Sequence, residues 1–73
     1  MTSKERALVT YGLYEKARSQ AGLSDYKVAL MTNINPMCIS DWKHGKYTPK
    51  ADKLFKISKL LGIPFADFMG VTG

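Results

Sequence analysis

The sequence predicts an all-α fold, a compact bundle of five short helices, and three observations carry that prediction. Residues 24–46, SDYKVALMTNINPMCISDWKHGK, read as cap, helix, turn, cap and helix in direct succession. Leu54, Ile57 and Leu61 recur at helical spacing ahead of a stop at Gly62. The chain has 73 residues, enough for one small domain with a single apolar core and no room for a second.

The elements follow in order. Residues 5–21 are expected to form the first helix, with Leu13 and Ala17 one turn apart on its buried face and Gly22 as its stop. Gly12 inside that span weakens the helix by about 1 kcal/mol relative to alanine, so its first turns are expected to fray. Ser24 is a good N-cap for a second helix, and Asp25 in the first turn suits the positive end of its dipole. That helix stops near Thr32 and Asn33, because asparagine tolerates the left-handed backbone at a helix end, and Ile34 follows as an apolar residue inside the turn. Asn35 then caps a third helix whose first residue is Pro36, where the missing N–H costs nothing. The fourth helix runs from Lys50 or Ala51 to Leu61, and residues 64–69 form a short fifth in which Phe65, Phe68 and Met69 close the core. Residues 70–73 read as a loose tail.

The third helix has two faces. At about 100° per residue, Ile39 and Trp42 fall on one side, while Met37, Ser40, Asp41 and His44 keep the i, i+3, i+4, i+7 spacing on the other. Ala29 is small where the second and third helices would cross, so the third sits close and projects outward. Two helices in this arrangement, joined by a turn of about three to four residues, have the layout of a DNA-reading helix-turn-helix. Two amphipathic helices of an arbitrary bundle are the alternative reading.

These residues resemble the Cro and phage-repressor helix-turn-helix family, also called the Xre type. The resemblance covers residues 13–69 and rests on Gly22-Leu23-Ser24, Val28-Ala29, Ile34, Ile39 through Lys46, Pro49, and Leu54, Ile57 and Leu61-Gly62-Ile63. It implies a phage-repressor type of bundle with a central helix-turn-helix. It further implies base-facing or groove-edge positions for Pro36, Met37, Ser40, Asp41 and His44, four of which the periodicity selects independently. The chain departs from the family pattern at Asp25, where glutamine usually touches the phosphate backbone and a carboxylate would repel it. Lys43 stands where glutamate is common, and Asn33 where glycine is.

Charge and composition agree with an anionic partner. The net charge is +5, and Lys43, Lys46, Lys50, Lys53, Lys56 and Lys59 follow the reading stripe, interrupted there by Asp52 alone. Lys43, Lys46, Tyr47, Thr48 and Lys50 are the candidate phosphate contacts, whereas Lys53, Lys56 and Lys59 read as a solvated helix face. The single cysteine, Cys38, excludes an internal disulfide and a cysteine-based metal cluster; it reads as small packing volume in a reducing cytoplasm. No cofactor or metal is called for. No apolar run is long enough for a membrane helix, so no membrane partner is expected.

His44 is the only histidine and shares a face with Ser40 and Asp41, but a triad also needs an oxyanion site and a concave pocket, so catalysis is not expected. Leu30, Met31, Phe55 and Leu60 fit none of the buried stripes and are candidates either for a self-association surface or for scattered surface hydrophobes. Two functions therefore stand. One is sequence-specific binding of double-stranded DNA as a transcriptional regulator, most naturally a repressor, with a homodimer on a palindromic site. The other is a protein-binding module of the same fold, an antitoxin, antirepressor or regulator partner, favoured by the carboxylates of Asp25 and Asp41.

Overall fold

A computed structural model describes residues 2–70. They form five helices and, among the described residues, no strand: α1 (Ser3–Gln20), α2 (Asp25–Thr32), α3 (Pro36–Lys43), α4 (Ala51–Leu61) and α5 (Phe65–Gly70). The expected tail 70–73 lies outside the described residues except for Gly70, which ends α5.

Local chemistry sets most boundaries. Ser24 Oγ accepts from the Lys27 amide and Asn35 Oδ1 from the Met37 amide, so both expected N-caps are in place. Asn33 takes the left-handed conformation at φ 57°, and the following Ile34 amide donates to the Ala29 carbonyl, closing α2. Lys50 caps α4 through its extended backbone alone, without a side-chain bond. The first helix starts earlier than residue 5, because Thr2 and Glu5 form a reciprocal capping box: the Glu5 amide donates to Thr2 Oγ1 at 3.1 Å and the Thr2 amide to Glu5 Oε1 at 3.3 Å.

The buried face of α1 differs from the expected one. Leu13 is 38% exposed and Ala17 only half-buried, while Ala7, Thr10, Tyr11 and Tyr14 point into the core. Polar residues are tolerated there because each polar atom has a partner, as the next subsection describes. The core lies between α1, α2, α3 and α4, with Trp42 at its centre and Val28, Ile39, Leu54, Ile57 and Phe68 around it. Trp42 is fully buried and ringed by aromatics: stacked on Tyr14 at 4.9 Å between centroids, and edge-on to Tyr11 at 5.5 Å and Phe68 at 6.2 Å. Ala29 is buried as expected, and Leu61, Phe65 and Met69 pack against the core from its rim. Among the described residues, no helix is long and apolar enough to cross a membrane.

Candidate nucleic-acid interface

The outward stripe of α3 depends on how firmly its inner face is held. Ile39 and Trp42 are buried, and the Trp42 indole Nε1 donates to Thr10 Oγ1 of α1 at 2.9 Å. The Thr10 hydroxyl in turn donates to the Arg6 carbonyl at 2.7 Å, so the buried pair is satisfied on both sides. Cys38 fills volume beside this face, as its residue type suggested.

With that face down, Pro36, Met37 and His44 stand exposed, and Ser40 and Asp41 are half-buried. Of the five anticipated positions, three are thus open to solvent and two are partly covered. His44 caps the C-terminus of α3, and its Nδ1 lies 2.8 Å from the Ser40 carbonyl. A carbonyl only accepts, so Nδ1 carries the hydrogen and Nε2 is left for a partner outside the helix. Tyr26, in the first turn of α2, is 63% exposed and lines the same cleft as Pro36, Ser40, Lys43 and His44. Sequence reasoning passed over Tyr26; its place beside Asp25 at the start of the helix that precedes the turn was the available signal.

Asp25 behaves unlike a surface carboxylate. Its Oδ2 accepts from the Tyr11 hydroxyl at 2.8 Å and its Oδ1 from the Tyr14 hydroxyl at 2.7 Å. Arg18 Nε approaches Oδ1 at 2.8 Å, a charge contact in which the N–H does not aim at the oxygen, and the guanidinium Nη1 donates to the Leu23 carbonyl. The carboxylate is therefore paired and turned toward α1. The structure corrects one expectation: Asp25 does not present an unpaired charge to phosphate. Burial and the bonds to Asp25 push the Tyr11 phenol up to about 12 from its ordinary 10, and the Tyr14 phenol is pushed up further by the same causes.

Asp41 is also paired. Lys46 Nζ reaches back from the loop to Asp41 Oδ1 at 3.5 Å, and the Lys46 amide donates to the Asp41 carbonyl at 2.9 Å. The backbone bond requires the left-handed turn at Gly45, φ 75°, where an added Cβ would meet Lys4 Cγ at 3.1 Å and Leu8 Cδ2 at 3.3 Å.

The loop after α3 forms a second cleft, lined by Tyr47, Thr48, Pro49, Lys50 and Lys53. Lys43, Lys46, Tyr47 and Lys50 are exposed, in keeping with the phosphate contacts expected of them. Thr48 is different, because its Oγ1 is shielded from solvent and finds no partner among the described residues; its hydroxyl is not presented as expected. The Cys38 thiol, then partial burial and more weakly Asp41, push the Tyr47 phenol up from its ordinary value. Lys53 departs from the solvated-face reading: its Nζ turns to within 3.9 Å of Cys38 Sγ and lines this cleft. Lys56 and Lys59 remain on the exposed face, Lys59 lying over the Phe55 ring at 5.5 Å.

The four apolar outliers divide. Leu30, Met31 and Phe55 are exposed, Phe55 with one ring edge against Phe65. Leu60 instead packs partly on the core and is half-buried.

The comparisons agree with this geometry. The sequence pattern of the helix-turn-helix family matches residues 15–68. No curated protein and no solved structure matches the chain. The match begins inside α1, so Thr10, Tyr11 and Tyr14, which hold Trp42 and Asp25, lie ahead of it. A family match over most of the chain, joined to two capped helices around a tight turn and an exposed stripe on the second, places this chain in the Cro and phage-repressor (Xre) type helix-turn-helix family of DNA-binding regulators.

Proposed function

We propose that the chain reads a specific DNA sequence with Pro36, Met37, Ser40, Asp41 and His44 in the major groove, as a bacterial or phage-type transcriptional repressor in the cytoplasm. The observation that carries this reading is the surface of α3 itself: Pro36, Met37 and His44 stand exposed beside the half-buried Ser40 and Asp41, while Trp42 locks the opposite face to α1. Met37 offers a flexible apolar end suited to a thymine methyl, and Ser40 can donate or accept. Asp41 can only accept, and the cytosine amino group is its fitting partner in the groove. Lys43, Lys46, Tyr47 and Lys50 position the protein on phosphates at the edge, and Lys53 and Tyr26 join them. Selection of bound duplexes from a random library tests the whole reading. A palindromic consensus supports binding as a dimer, and no enrichment at any salt concentration overturns DNA reading in favour of a protein-binding module.

Asp41→Ala is expected to relax specificity at one base pair per half-site by roughly 1–3 kcal/mol. The variant also frees Lys46 from its ion pair, so non-specific binding should tighten at the same time. Repeating the selection with this variant checks both effects, and two identical sequence logos would show that Asp41 reads nothing. Lys46→Ala should act differently, weakening binding to all sequences alike and lowering the slope of log K against log salt by about one. An unchanged slope removes Lys46 from the phosphate contacts.

A further inference from the structure

The outward face of α1 has no task in the reading above. Its core-facing side carries Ala7, Tyr11 and Tyr14, which leaves Glu5, Val9, Gly12 and Lys16 on the opposite side, with Leu13 at its flank. Val9 is 45% exposed and Leu13 38%, so the middle of this face is apolar, and its two ends carry opposite charges. Gly12 sits at the centre of the patch. A Cβ there would meet nothing within 4 Å among the described residues, and the helix takes no left-handed turn at that residue, so nothing in the described fold calls for glycine. Glycine in a helix interior weakens the helix, and its benefit is close approach of another backbone.

We propose that this face is a self-association surface on which two copies of the chain pack α1 against α1, antiparallel, crossing between Val9 and Gly12. The charge pattern selects a second copy as the occupant. An antiparallel pair with its two-fold axis midway between Glu5 and Lys16 brings Glu5 of each copy opposite Lys16 of the other, so both ends of the contact close with an ion pair. The same axis sets Val9 of one copy against Gly12 and Leu13 of the other. The glycine forms the notch, and Val9 and Leu13 supply apolar surface. One oxygen of Glu5 takes part in the capping box at the start of α1, and its second oxygen is left for the partner's lysine. One helix per copy buries less than a standard interface, so the association is weak and visible only in concentrated protein.

Sedimentation at about 0.5 mM chain is the test, and the weak-association argument sets that concentration. Wild type is expected at twice the 8.1 kDa chain mass. Glu5→Lys and Lys16→Glu should each associate at least tenfold more weakly, while an equimolar mixture of the two recovers association, because both ion pairs re-form in the mixed dimer, one of them with its sign reversed. Lys16→Glu leaves the capping box intact, which keeps the result independent of helix initiation. Gly12→Leu should raise the melting temperature of dilute protein by about 4 °C through helix propensity, yet abolish association, two effects of opposite sign. A monomeric wild type overturns the proposal, as does failure of the mixture to recover. Dissociation by Phe55→Glu with no response to the charge exchanges also overturns it and moves the contact to α4. DNA binding plays no part in this measurement, so its outcome is independent of the reading function.

Discussion

Trp42→Ala is expected to remove a large fraction of the stability of this domain. The indole is fully buried among Tyr11, Tyr14 and Phe68 and donates to Thr10 across 32 residues of sequence. Truncating a buried tryptophan to alanine costs about 3–5 kcal/mol, because the neighbours collapse only partly into the cavity. A chain of this length has on the order of 4–11 kcal/mol in total at 0.05–0.15 kcal/mol per residue, so the loss is a large fraction of the whole. Urea unfolding followed by circular dichroism checks it. A loss under about 2 kcal/mol would mean that the ring contributes far less than its burial implies. Because α3 is held to α1 through this side chain, DNA binding should fail together with the fold.

Asp25→Ala is expected to cost about 2–3 kcal/mol, since it leaves two buried phenols without their acceptor and the Arg18 guanidinium without its counter-charge. The full sum of three charged contacts is not expected, because the carboxylate keeps 30% of its side-chain surface in water. Alkaline pH tests the same network. The folded state holds the Tyr11 proton up to about 12 against an ordinary 10, and the Tyr14 proton longer still. A raised folded pKa contributes stability that is fully present below pH 10 and is lost as pH rises from there through about 12. Wild-type stability should therefore fall steeply above pH 10. The decline should be shallower in Asp25→Ala, in which the carboxylate no longer holds the phenols protonated. Melting curves between pH 8 and 12, with phenolate absorbance in parallel, read both effects; equal slopes for the two proteins would detach Asp25 from the tyrosines.

The sequence by itself determined the local structure of this protein. Caps at Ser24 and Asn35, proline at the first position of α3 and the left-handed Asn33 act within a few residues of themselves, so they place α2, the turn and α3 without knowledge of the rest. The outward stripe of α3 was legible for the same reason, because helical spacing alone separates it from Ile39 and Trp42. The capping box at Thr2 and Glu5 was equally local and was overlooked. Tertiary structure decided how α1 is turned. Its apolar residues Leu8, Val9 and Leu13 lie outward, while Thr10, Tyr11 and Tyr14 lie inward with their polar atoms bonded to residues 11 to 32 positions away. No periodicity of α1 could reveal this, because a buried hydroxyl is affordable only where a distant acceptor or donor meets it. The same physics settled the carboxylates. Whether Asp25 and Asp41 repel phosphate or stand neutralised depends on Arg18, Tyr11, Tyr14 and Lys46 reaching them, and that is a property of the assembled chain.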